Sequence, residues 1–225
     1  MKNRLVKIKR AIISVNNKTK LLDLADFFLK RKIEIISTGG TSKYLSDNGY
    51  KVEEVSKLTG FPELINGRVK TLHPNIHAPI LFDRSDKGSV EELKNRGLRP
   101  IDIVIVNLYP FEEKVRDNCS KKEIIENIDI GGVALIRAAA KNYENVTVLT
   151  NISDYRVIKT ELEENNGCVG IDLRKFLAGK AFLDTAFYDQ LISEWFLSND
   201  EMEKVDKRVI AGNVKTSLKY GENPH

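Results

Sequence analysis

The feature that most constrains this chain is an alternation. Short apolar runs, each closing on a polar or glycine-containing segment, recur between stretches with helical periodicity. Residues 11–15 (AIISV) and 33–37 (IEIIS) read as buried strands. Between them Leu21, Leu22, Ala25, Phe28 and Leu29 recur at three- and four-residue spacing, so an amphipathic helix is predicted over 18–31. A turn at 38–41 precedes a short helix over 42–48, which Gly49 is suited to end in the left-handed conformation. Further strands are predicted at 51–55, 77–82, 101–108 and 146–149, with a polar helix over 86–96.

Strands alternating with helices imply βαβ units: an α/β fold with a parallel β-sheet and helices on both faces. Ligands then bind beyond the carboxyl ends of the strands. The segments at 16–18, 38–41 and 109 onward all follow predicted strands, so they are expected on one edge. After residue 150 the pattern becomes helical, over 154–164 and 173–196, with Leu173, Phe176, Leu177 and Ala181 on one face. The expected organisation is an α/β domain over 1–150, a C-terminal helical annex of that domain over 151–196, and a polar linker over 197–225.

Composition narrows the function classes. No apolar run approaches the roughly 20 residues of a membrane helix. The basic start lacks the apolar core of a secretory signal, so a cytoplasmic location is expected. Cys119 and Cys168 form no CxxC pair, so they are expected to be reduced and structural, without a zinc knuckle. The 36 basic and 32 acidic side chains give a net charge of +4, and their scatter argues against nucleic-acid binding.

Four segments carry chemical potential. Thr38-Gly39-Gly40-Thr41 joins a strand to a helix, with small residues that let backbone N–H groups approach an anion and hydroxyls that donate to it. It is neither a P-loop nor GxGxxG, and a plain tight turn is the competing reading. Lys18 is placed to neutralise an anion there or to be a solvated lysine. Gly67-Arg68-Val69-Lys70-Thr71-Leu72-His73-Pro74 concentrates two cations, a hydroxyl and an imidazole. Arg68 would disfavour the charged form of Lys70, although a basic surface loop has the same composition. His73 and His77 lack a third ligand, and Pro74 and Pro79 argue against one continuous helix, so a metal site is not expected. Asn107-Leu108-Tyr109-Pro110-Phe111 brings an amide and a phenol to the ligand edge. Asp129-Ile130-Gly131-Gly132 opens a helix whose first N–H groups are free for an oxygen anion, or simply supplies an Asp N-cap.

Taken in order, these segments, with Ser14 and Arg137 to Asn142, resemble the N-terminal domain of the bifunctional purine-biosynthesis proteins that pair AICAR transformylase with IMP cyclohydrolase. The resemblance implies a methylglyoxal-synthase-like fold, a homodimer, no cofactor, and 5-formamidoimidazole-4-carboxamide ribonucleotide as the nucleotide substrate closed to IMP. By it, Lys70 orients the carboxamide, Asp129 and Lys141 form an acid/base pair, and Tyr109 donates to the oxyanion. Ser14, Asn16, Lys18, Thr38, Gly39, Gly40 and Thr41 fall on the phosphate and ribose side. Arg68, Thr71, Asn107, Ile130, Gly131 and Gly132 fall around the base. Asn16-Asn17 departs from the Ser-Asp often found there. Residues 218–225 resemble the opening of the transformylase domain, so formyl transfer is expected to need a following domain. The same fold also serves methylglyoxal synthases, which leave residues 107–111 and 129–132 unexplained, and nucleotide-sensing regulatory domains, which need no proton relay.

Overall fold

The computed structural model describes residues 4–62, 69–197, 201, 204–214 and 216. In chain order its elements are β1 (Val6–Lys7), β2 (Arg10–Val15), α1 (Leu21–Lys30), β3 (Glu34–Ser37), α2 (Gly39–Asp47), β4 (Glu53–Glu54), α3 (Val55–Thr59), α4 (Pro74–Leu81) and α5 (Lys87–Asn95). Then come β5 (Ile103–Asn107), α6 (Phe111–Arg116), α7 (Lys121–Glu126), α8 (Gly131–Lys141), β6 (Thr147–Leu149), α9 (Asp154–Glu164), β7 (Cys168–Val169) and α10 (Ile171–Phe196).

Five strands form a parallel sheet in the order β4-β3-β2-β5-β6, and β1 pairs antiparallel with β7 beside it. Strand alternation divides the core. Ala11, Ile13, Ile35, Ile103 and Ile105 face Leu24, Phe28 and Ile158 on one side. Ile12, Ile36, Val104, Val106 and Val148 face Ile76, Ile80, Leu135 and Ile136 on the other. Both faces are therefore dry, which is why these strands read as nearly continuous apolar runs. Each of the larger ones, Val, Leu, Ile or Phe, contributes about 1.5–3 kcal/mol of burial.

The order also locates the ligand edge. From β2 the chain moves outward through β3 and β4, then returns to lay β5 on the opposite side of β2. That reversal opens a crevice between the exits of β2 and β5, where Val15 and Asn107 are in register.

Several expectations are corrected. Residues 77–82 are not a strand: 77–81 are the end of α4 and Phe82 is its C-cap. Pro74 occupies its first turn, where no N–H is required, and Ile76 and Ile80 share a buried face, so the two prolines do not prevent a helix. The run at 51–55 gives only the two-residue β4, and its Val55 opens α3. The turn at 38–41 is already helical from Gly39, because the Thr38 carbonyl accepts from Thr41 and Ser42 at 2.9 and 3.0 Å. On α10 the buried face is Arg174, Leu177, Ala178, Ala181, Thr185 and Tyr188, while Phe176 is 67% exposed. Apolar and charged residues are mixed around this helix, so spacing alone does not select its inner face. Four short elements, β1, β7, α6 and α7, carry too few residues to show a period. No described helix is long and apolar enough to cross a membrane.

Candidate active site

Three strand exits are tied together by side chains. The Asn107 amide oxygen, at the end of β5, accepts from the N–H groups of Asn16 and Asn17 at 2.6 and 2.9 Å. Its Nδ2 donates back to the Asn17 carbonyl at 3.0 Å. Asn107 thus shapes the loop after β2. Buried Thr41, in the first turn of α2, accepts from the Val15 N–H at 3.1 Å and donates to the Val15 carbonyl at 2.9 Å. Ser14 and Thr38 hydroxyls stand 2.9 Å apart. The result is a hydroxyl-lined floor facing the positive end of α2, where the Gly39 and Gly40 N–H groups have no acceptor within the helix. Lys18 leans over the Tyr44 ring beside it, 5.9 Å from the centroid.

The opposite wall is built by the start of α8. Asp129 accepts from the Gly132 N–H at 2.7 Å. Burial pushes the Asp129 carboxyl above its usual range, against the opposing pull of the Gly132 N–H and of nearby Lys70. Both glycines are there for space. A Cβ on Gly131 would stand 2.6 Å from Thr71 Oγ1, and one on Gly132 would stand 2.5 Å from Asp129 Oδ2. Neither has the left-handed φ that usually explains a glycine. Thr71 is buried, with its backbone beside the imidazole of His77 on α4. Burial lowers the His77 pKa, which favours the neutral ring. His73 caps α4 instead, accepting from Asn75 N–H at 3.1 Å.

These walls enclose a cleft of 620 Å³. It gathers Ser14, Asn16, Lys18, Thr38, Gly40, Thr41, Lys70, Thr71, Asn107, Tyr109, Asp129, Ile130, Gly131 and Gly132 from the sequence-derived set. Gly39 opens instead on an adjoining hollow that shares Thr38 and Lys70 with the cleft. Arg68 lies outside the described residues. Lys141 is not brought to Asp129: it is exposed at the far end of α8, whose eleven residues span about 15 Å. Among the described residues, Lys70 is the cation that acts on Asp129.

A family model described as MGS-like domain matches residues 20–134, and one described as AICARFT/IMPCHase bienzyme matches residues 139–225. The bifunctional purine biosynthesis protein PurH of Bradyrhizobium diazoefficiens is 46% identical over 97% of this chain, and that of Clostridium perfringens is 49% identical over 96%. The chain belongs to the PurH family. It spans about two fifths of the length of these relatives, 41% and 43% respectively. The crystal structure of ForH superposes with a TM-score of 0.73 at 33% identity, covering 84% of this chain and 99% of that one.

For this PurH-family chain, sequence reasoning did not single out Val15, Ile125, Glu126 and Ile128, which also line the cleft. The last three come from α7 and the turn after it. One signal was present: Ser120 and Glu123 form a capping box that starts α7, a pattern readable as Ser-x-x-Glu. Nothing in the sequence indicated that α7 would fold back over the cleft.

Proposed function

We propose that this chain is an IMP cyclohydrolase, closing 5-formamidoimidazole-4-carboxamide ribonucleotide to IMP. The observation that carries the reading is the meeting of Asp129 and Lys70 in a cleft whose other wall is the hydroxyl and N–H cradle at α2. A cradle alone fits any phosphorylated ligand. A carboxyl with a raised pKa facing a lysine is the equipment of proton transfer.

In this reading the phosphate lies against Gly40, Thr38 and Ser14, with Lys18 supplying charge. The base lies between Asn107 and the start of α8. The carboxamide nitrogen attacks the formyl carbon, forming the new ring bond and turning the formyl oxygen into an alkoxide. Asp129 takes the proton from the attacking nitrogen. Lys70 and Tyr109 donate to the oxygen as its charge develops, along with the free N–H groups of Ile130 and Gly131. Lys70 gives the alkoxide a proton, and the resulting hydroxyl leaves as water with the proton that Asp129 returns, while the former formamido nitrogen gives its own proton back to Lys70 to complete the C=N bond. Both reacting groups belong to one molecule, so holding the near-attack rotamer does much of the catalysis.

The partner in this reading is a second copy of the chain. Supporting it, Phe176, Gly179, Phe182, Leu183 and Ala186 form an exposed apolar stripe along α10. Lys175 and Asp189 lie seven residues to either side of Phe182, so two antiparallel copies of α10 would set opposite charges together. Formyl transfer is assigned to the part of the longer relatives that this chain does not match.

The test is the ultraviolet change on mixing the chain with the formamido ribonucleotide, in chelator and without folate, for wild type and Lys70→Ala. Conversion to IMP by wild type that the substitution abolishes supports the assignment. Tight binding without conversion would sink it and leave a nucleotide-sensing module.

A further inference from the structure

Asp129 sits in a loop between α7 and α8, yet the group that fixes its backbone comes from elsewhere. The Asp129 N–H donates to the Tyr188 hydroxyl at 2.8 Å, and that hydroxyl donates to the Asn127 carbonyl at 2.8 Å. One phenol therefore closes the backbone on both sides of Ile128, a residue that lines the cleft. Tyr188 itself does not line the cleft; it is 7% exposed on α10, within the segment that follows the sheet in sequence. Its ring meets Phe111 edge-on, with centroids 6.2 Å apart. Phe111 opens α6 two residues after Tyr109, so the same side chain braces the exit of β5.

We propose that Tyr188 is a positioning residue for Asp129, holding the carboxyl in its buried place through the backbone of the loop. This rests on the role given to Asp129 above. The phenol is chemically suited to that role, because burial pushes it up to about 12 and it remains a donor across the working range of an enzyme. A flexible loop would admit water to Asp129 and relax the burial that raises its pKa. The hydrogen bond from Gly132 holds only the side chain and tolerates motion of the whole segment. The bond from the Asp129 N–H to Tyr188 anchors that segment to α10.

The test is a carboxyl-carbon NMR titration of the whole chain, with Asp129 assigned by the signal lost in Asp129→Asn. Tyr188→Phe keeps the ring against Phe111 and removes only the hydroxyl. In that variant the Asp129 titration moves down toward the usual carboxylate range. The acid limb of kcat/KM follows it, and kcat falls on the order of tenfold with KM nearly unchanged. Tyr155→Phe is the control, since Tyr155 is also buried but belongs to the core on the α1 side of the sheet. An unchanged Asp129 titration in Tyr188→Phe overturns the proposal, as does an equal change in Tyr155→Phe. Should Tyr188→Phe not fold, 3,5-difluorotyrosine at position 188 keeps the hydroxyl but ionises at lower pH. The Asp129 signal then shifts as that phenol titrates, and its failure to shift counts against the proposal. The titration needs no turnover, so it decides the role of Tyr188 even where the wild type proves inactive and the cyclohydrolase reading fails.

Discussion

Gly132 donates its N–H to one oxygen of Asp129 at 2.7 Å, and a Cβ on the same glycine would stand 2.5 Å from the other oxygen. The contact that holds the carboxyl therefore requires an absent side chain. Gly132→Ala is expected to displace Asp129 by about an ångström and to lower kcat on the order of a hundredfold, with the fold intact. Steady-state kinetics alongside Asp129→Asn and the double variant check the cause. If the glycine acts through the carboxyl, the double variant is no slower than Asp129→Asn alone.

Burial raises the Asp129 pKa, so the folded state holds its proton more tightly than the unfolded chain does. The sign follows from linkage. Below the unfolded value of 3.8 the residue costs nothing; the cost grows as pH rises from there through the folded pKa, and it is complete above that. Asp129→Asn keeps an oxygen for the Gly132 N–H and removes the charge. It is expected to raise the unfolding midpoint at pH 7, to have no such effect near pH 3, and to abolish cyclisation. Thermal unfolding at the two pH values checks this; equal effects at both would show that the charge is not the cause.

The sheet was legible because its central strands are buried on both faces. Ile12, Ile13, Ile35, Ile36 and residues 103–106 carry no polar alternation that would mislead. The glycine and hydroxyl segments after those strands were legible for the same reason, since topology sends every parallel strand exit to one edge. Residues 77–82 were not. Their apolar run of Ile80, Leu81 and Phe82 suits a strand as well as a helix, and only the tertiary burial of Ile76 with Ile80 selects the helix. The site was read as a set of residue types, and the distance along α8 was left out. Asp129 and Lys141 form an acid/base pair by resemblance, but within one chain a helix of eleven residues keeps them apart. Tyr188 was invisible because its function depends on α10 returning across the α7–α8 loop, which no local pattern records.

Thr41 bonds both the N–H and the carbonyl of Val15 through one hydroxyl, at 3.1 and 2.9 Å. Thr41→Val keeps the shape and leaves two buried backbone groups without that partner. The expected cost is about 1–3 kcal/mol, read from urea unfolding. Because Val15 precedes the loop of Asn16 and Lys18, KM for the nucleotide should rise while kcat changes little. A fall in kcat at unchanged KM would place Thr41 on the reacting side of the cleft instead.

Leu183 is 71% exposed and Phe176 67% exposed on α10, whose opposite face packs Leu177, Ala178, Ala181 and Tyr188 inward. In the proposed dimer, an antiparallel pair of α10 helices centred on Phe182 would bring Gly179 of one copy to within one residue of Ala186 of the other, letting the backbones approach closely. Leu183→Glu places a charge in that seam and is expected to give a monomer by light scattering, with the single-chain fold retained. Lys175→Glu sets like charges against Asp189 of the second copy and should weaken the dimer. Adding Asp189→Lys restores opposite charges and should recover it. A wild-type chain that is monomeric at micromolar concentration would refute the pairing. A dimer indifferent to all three substitutions would place the interface on another face.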